Sequence, residues 1–192
     1  MKTSKHEILK TATYFFIKKG YNGTSLSDIS SAMGISKGSL FSNIKSKENL
    51  YYNVLSSELH VLVFKQEKSS LQDHIDAYIQ KLQTDIERLN SLLGNDISLS
   101  DYMLFLLESS KRHQPSKKKI KNTSEQDLKT WEVCLQEAKE KGEIKTDVDI
   151  SLNAQLFHYV FFGNFYISAI SNNLDIEQLK EVYYKLYDTL KE

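Results

Sequence analysis

Proline and cysteine are almost missing from this 192-residue chain, with one of each, and glycine is scarce at seven. The lone cysteine, Cys134, excludes an internal disulfide framework and a cysteine metal cluster, and reads as a small core residue. With so few helix breakers, long segments can keep one backbone conformation without interruption. No apolar run reaches the length of a membrane span, and the opening MKTSKHEILK lacks the apolar core of a signal peptide, so a cytoplasmic chain is expected. The five histidines, at 6, 60, 74, 113 and 158, never show the HExxH spacing. A glycine-rich phosphate loop and a nucleophile elbow are missing too. The chain is therefore read as no enzyme, with no metal and no cofactor.

What is present is helical periodicity. A hydrophobic content of 40% is enough for a core, and the apolar positions recur at three and four residues, which predicts an all-α protein of about nine helices. The densest signals lie in residues 24–50. Ser25 with Asp28 has capping-box spacing, and Leu26, Ile29 and Met33 give the short helix that follows one buried side. Gly34 sits where that helix must stop. Ser36 can cap a second short helix, Lys37 to Asn43, and Ser46 a third that runs on through Leu50, Tyr51, Val54 and Leu55. Helices of two turns are unstable alone. Upstream, Ile8, Leu9, Ala12, Phe15 and Phe16 form the stripe they can lean on, ending at Gly20. The second short helix is thin and polar, anchored only by Leu40 and Phe41, and so suits insertion into a major groove.

The charge balance is zero, with 25 basic and 25 acidic residues, but it is not uniform. Residues 1–50 hold eight lysines against Glu7, Asp28 and Glu48, a net +5, and the remainder is −5. That split puts the electrostatic footprint for DNA on residues 1–50. The run Lys117, Lys118 and Lys119 reads as a solvated connector.

Taken together, Ile8, Ala12, Phe16, Gly20, Tyr21, Thr24, Ser25, Asp28, Ile29, Met33 to Phe41, Lys47, Glu48 and Leu50 resemble the TetR family of bacterial transcriptional regulators. The resemblance is specific from Ile8 to Leu55 and architectural beyond. It implies a helix-turn-helix DNA-binding domain over residues 1–50 and a helical ligand-binding and dimerisation domain over residues 51–192. The helix opened by Ser36 would enter the major groove, and the start of the next would touch phosphate. Phe41 stands where the family usually has tyrosine, Asn43 where an aromatic or histidine is frequent, and Ile44 where phenylalanine is frequent. Expected base and nearby phosphate contacts are Lys37, Ser39, Ser42 and Asn43, with Gly38 permitting close approach and Phe41 packing on a thymine methyl or sugar. Thr24, Lys45 and Lys47 are expected on phosphate.

Downstream, Ser70 with Asp73 and Ser98 with Asp101 open further helices, and Gly94 could close the first of them. Residues Leu152 to Ile170 are apolar on almost every side, so that helix must be covered all round. The last helix carries Ile176, Leu179, Val182, Tyr183, Leu186, Tyr187 and Leu190 at alternating spacings of three and four. A two-fold homodimer through residues 150–192 follows as the expectation. Its interface would comprise Leu152, Leu156, Val160, Phe161, Ile167, Ile176, Leu179, Tyr183 and Leu186. By the resemblance, the middle helices would surround a pocket for a small apolar or aromatic inducer. Candidate lining residues are Phe64, Tyr78, Tyr102, Phe105, Glu108, Trp131, Cys134, His158, Tyr159 and Phe162. The function expected is a ligand-responsive repressor bound to a near-palindromic operator. The alternative is a helical ligand-binding or protein-interaction module with weak or lost DNA binding, suggested by Phe41, Ile44 and the lack of arginine before Arg88.

Overall fold

A computed structural model describes residues 4–58, 70–93 and 97–191. Among them the backbone forms nine helices and no strand. They are α1 (Lys5–Gly23), α2 (Leu26–Ala32), α3 (Lys37–Phe41), α4 (Lys47–Glu58), α5 (Leu71–Leu93), α6 (Leu99–Arg112), α7 (Gln114–Glu140), α8 (Ile150–Ser171) and α9 (Ile176–Leu190). Gly94 and Phe64 lie outside the described residues. No helix among the described residues is long and apolar enough to cross a membrane.

The helix starts follow from short polar side chains. Full capping boxes form at Ser4 with Glu7, Ser25 with Asp28 and Ser98 with Asp101, each satisfying two otherwise free donors. Hydrogen bonds from the Ser4 and Ser25 backbone and hydroxyl hold the Glu7 and Asp28 carboxyls below their ordinary range; at Asp101 burial pushes the other way, and the Ser98 hydrogen bonds and Lys18 together outweigh it. Pro115 sits in the first turn of α7, where a missing N–H is no loss. The preceding His113 acts as the cap: its Nδ1 accepts from the Ser116 amide at 3.3 Å. The lysines 117–119 are therefore helical, in the opening turns of α7, and not a connector as expected.

The chain divides into two compact units. The first comprises residues 1–60 and 88–120. Its interior is built from Ile8, Ala12, Phe16, Ile29, Leu40, Leu50, Tyr51, Val54 and Phe105, all buried. Aromatic rings tie it together: Tyr51 meets Phe16 edge-on at 5.0 Å, Tyr21 at 5.0 Å and Phe105 at 6.1 Å. The second unit comprises residues 61–87 and 121–192. Its centre is Trp131, fully buried between Tyr78 at 5.1 Å, Phe157 at 4.9 Å and Tyr183 at 5.4 Å. Truncating a buried ring of this kind typically removes about 3–5 kcal/mol of stability. Cys134 lies in the same core, and burial pushes its thiol up to about 12, an inert packing residue. Glu143 closes the start of α5, accepting from the Leu71 amide at 3.0 Å and the Gln72 amide at 3.3 Å, while the Tyr187 hydroxyl donates to it at 2.7 Å.

Candidate nucleic-acid interface

The candidate reading head, α2 to the start of α4, assembles from local hydrogen bonds. After α2, Gly34 takes φ of 64°, the left-handed conformation that a side chain would strain, and its amide donates to the Ser31 carbonyl at 3.1 Å. The chain then reverses into α3, where the Ser36 hydroxyl accepts from the Ser39 amide at 3.1 Å. Leu40 and Ile44 are buried and fix α3 to the unit, so the opposite face is left to solvent. That face carries Lys37, Gly38, Phe41, Ser42 and Asn43, all exposed, with Ser39 at its margin. Phe41 is 51% exposed, so of the two anchors expected for this helix only Leu40 lies in the core. At Gly38 an added Cβ would meet nothing closer than 3.8 Å, so the fold itself does not need glycine there.

Thr24, Ser42 and Asn43, all expected contact residues, already have side chains hydrogen-bonded within the chain, the Ser42 hydroxyl donating to the Ser39 carbonyl at 2.7 Å. Thr24 is 1% exposed, and its hydroxyl points at the carbonyls of Gly20 at 2.8 Å and Phe15 at 2.9 Å. This corrects the expectation of a side-chain phosphate contact: the hydroxyl closes the end of α1 instead. The Asn43 amide donates to the Ser39 carbonyl at 2.9 Å and to the Ser42 hydroxyl at 3.1 Å, closing α3. Lys45 is exposed in the following turn. Ser46 starts α4, its hydroxyl accepting from the Asn49 amide at 3.0 Å. Lys47, in the first turn, lays its Nζ over the Tyr21 ring at 4.3 Å. Burial and then the neighbouring Arg112 lower the Lys47 pKa below its ordinary value, with Glu108 and Asp28 pulling the other way.

Behind the reading head, α6 is latched to the end of α1. Gly20 takes φ of 68°, and the Glu108 carboxylate sits 3.1 Å from where its Cβ would be while accepting the Tyr21 amide at 2.9 Å. Lys18 and Asp101 pair at 3.0 Å. Tyr102 and Phe105 are buried in this same unit. Tyr102, Phe105 and Glu108, expected on a ligand pocket, thus back the reading head.

The other expected pocket residues belong to the second unit. Tyr78, Trp131 and Cys134 are packed in its core. His158 is buried, with Nδ1 at 2.7 Å from Asp127 Oδ2 and Nε2 at 3.2 Å from the Ser124 hydroxyl. Asp127, Ser124 and His74 were missed because their partners lie 31 or more residues away or across the core, where periodicity gives no signal. Tyr159 is 61% exposed and Phe162 is exposed, so both sit on the outside of α8 and not in an interior lining.

The exposed stripe on α8 is continuous: Leu152, Leu156, Tyr159, Gly163, Tyr166 and Ile170 follow at alternating spacings of four and three, with Ile167 alongside. Of the expected interface, Leu152, Leu156 and Ile167 are on it. Leu179 and Tyr183 are corrected: both are buried in their own chain, and the Tyr183 hydroxyl donates to the Phe157 carbonyl at 3.1 Å. Val160, Phe161, Ile176 and Leu186 are half-buried against the same core. Tyr166, Ile170 and Val182 are exposed apolar residues outside the expected set.

Comparison with known proteins agrees with this geometry. The family described as "Bacterial regulatory proteins, tetR family" matches residues 8–53. The chain is 26% identical over 151 residues to the HTH-type transcriptional repressor DhaR of Mycobacterium sp. (strain GP1), covering 75% of this chain and 71% of that protein. It is 31% identical over 105 residues to the HTH-type transcriptional regulator QacR of Staphylococcus aureus, covering 55% of this chain and 50% of that one. A solved TetR transcriptional regulator from Chloroflexus aurantiacus shares the fold at a TM-score of 0.64 and 21% identity, over 97% of this chain and 94% of that chain. A capped α2, a left-handed glycine turn, a polar exposed α3 and the matched relatives converge on the TetR family of bacterial transcriptional regulators, whose model residues 8–53 match.

Proposed function

We propose that this chain is a ligand-responsive transcriptional repressor that binds a near-palindromic DNA operator as a two-fold homodimer and is released by a small apolar or aromatic inducer. The observation that carries the reading is the outward face of α3, polar and exposed while Leu40 and Ile44 on its other side are fully committed to the core. Lys37, Gly38, Ser39, Phe41, Ser42 and Asn43 meet the major groove, where small side chains allow close approach. Asn43 reads a base by exchanging its bonds to Ser39 and Ser42. Lys45 and Lys47 hold phosphate, together with the amides at the start of α4. Residues 1–50 serve as the DNA-binding domain and residues 51–192 as the ligand-binding and dimerisation domain.

The α8 stripe supports dimerisation, since a run of exposed apolar residues of this length calls for a partner. Two recognition helices related by a two-fold axis then require half-sites roughly 34 Å apart, or a multiple of it. For the inducer, the second unit offers polar handles within an aromatic core. The Trp131 indole N–H and His74 Nε2 are buried with no hydrogen-bond partner among the described residues, and His158 is oriented by Asp127. A molecule with an aromatic or aliphatic body and one acceptor fits that chemistry. The test is binding of the purified protein to the DNA beside its own coding region across a salt series, with and without candidate inducers. Salt-dependent binding that an inducer weakens supports the proposal, and indifference to DNA at low salt overturns it.

A further inference from the structure

Between Glu108 and Glu125 the sequence carries six Lys and Arg residues and no Asp or Glu. Five of them, Lys111, Arg112, Lys117, Lys118 and Lys119, are exposed and belong to the same compact unit as the reading head. That unit, residues 1–60 with 88–120, has 14 basic against 7 acidic residues, a net +7, so the second unit is −7. The separation of charge is therefore larger than a division at residue 50 suggests.

The root of this basic ridge is fixed beside α4. Arg112 Nη2 donates to Asn22 Oδ1 at 3.1 Å, and its guanidinium lies 4.1 Å from the Tyr21 ring centroid. Lys47 Nζ lies 4.3 Å from the same ring, so two cations are held as neighbours. The His113 ring stacks on Tyr52 of α4 at 4.3 Å. Glu108 and Asp28 are the acids that act on Lys47; the Glu108 carboxylate is tied to the Tyr21 amide and the Asp28 carboxylate to Ser25. Like charges gathered this closely repel, and a polyanion relieves the repulsion while its own counterions are released. Lys47 is itself assigned to phosphate above, and Lys117, Lys118 and Lys119 follow Arg112 in the opening turns of α7.

We propose that Lys111, Arg112, Lys117, Lys118 and Lys119 form a second phosphate-binding surface that takes the duplex DNA flanking the operator. It rests on the DNA-reading function proposed above and adds a sequence-independent contact outside the recognised half-site. Its effect is to lengthen the DNA footprint and steepen the salt dependence, leaving base preference to α3.

The test compares the full-length protein with the K111Q/K117Q/K118Q variant on two duplexes. One is trimmed to the operator that the wild type selects from random DNA; the other extends it by about 10 bp on each side, one helical turn. On the extended duplex the variant should lose roughly 0.9 of a unit of log–log salt slope per lost contact, up to about 3 per chain. On the trimmed duplex the two proteins should match, and K111R/K117R/K118R should restore the wild-type slope. Equal slopes on the extended duplex, or the same loss on both duplexes, overturn the proposal. A wild type that ignores duplex DNA altogether overturns it together with the reading on which it rests, whereas a normal wild type with an unaffected variant overturns the ridge alone.

Discussion

Replacing Ile167 by serine separates the proposed dimer contact from the fold. Ile167 is 61% exposed on α8, so its side chain adds little to its own chain, and the substitution should leave the folded protomer intact. Full burial of an isoleucine stabilises by about 1.5–3 kcal/mol, and roughly three-fifths of that remains to be gained against a partner. A two-fold interface contains the residue twice, which doubles the loss to about 2–4 kcal/mol, or roughly 20- to 500-fold in dissociation constant. Sedimentation equilibrium over a concentration series reads the shift directly, with far-UV circular dichroism as the check on folding. Since both half-sites must be held at once, operator affinity should fall in parallel. A variant whose dimer is as tight as the wild type would refute the placement of this stripe at the interface, and a wild-type monomer at micromolar concentration would refute the dimer itself.

Other consequences follow from the reading head and the second core. Lys47→Ala should weaken binding to all sequences and lower the salt slope by about one unit, measured by fluorescence anisotropy across a salt series. Asn43→Ala should change base preference in selected fragments and leave the salt slope nearly unchanged; an unaltered selected sequence counts against a base contact. Tyr183→Phe removes the buried hydrogen bond to the Phe157 carbonyl and should cost about 1 kcal/mol in urea unfolding. Burial lowers the His74 pKa below its ordinary 6.5, with Asp127 opposing more weakly. In the unfolded chain His74 takes up its proton near 6.5, so the neutral folded form contributes stability above that pH and loses it as pH falls through the lower folded value. His74→Phe should flatten that part of the stability–pH curve, and a wild-type slope retained in the variant would assign it elsewhere.

Local chemistry made much of the fold legible in the sequence. Ser25 with Asp28 and Ser98 with Asp101 announce helix starts because both partners of a capping box lie within one turn. Gly34 is legible for the same reason. Long-range pairings leave no such trace: Glu108 reaches the Tyr21 amide across 87 residues, and Asp127 reaches His158 across 31. The apolar pattern of α9 is equally ambiguous. Leu179 and Tyr183 repeat at a spacing that suits an interface, yet they fill their own core, because a stripe records that a face is covered and not which helix covers it. On α8, apolar all round, the two faces can be told apart only by which residues Trp131 and its neighbours already bury. Thr24 shows the converse limit: a hydroxyl at a helix junction can satisfy the chain's own carbonyls as readily as an outside ligand.

Selection of bound fragments from random duplex DNA, followed by sequencing, tests the central claim most directly. The account predicts a near-palindrome whose half-sites lie one helical turn or a multiple apart, each covering the few base pairs that α3 can reach. Recovery of fragments with no shared sequence, or of a single half-site with no two-fold partner, would contradict it.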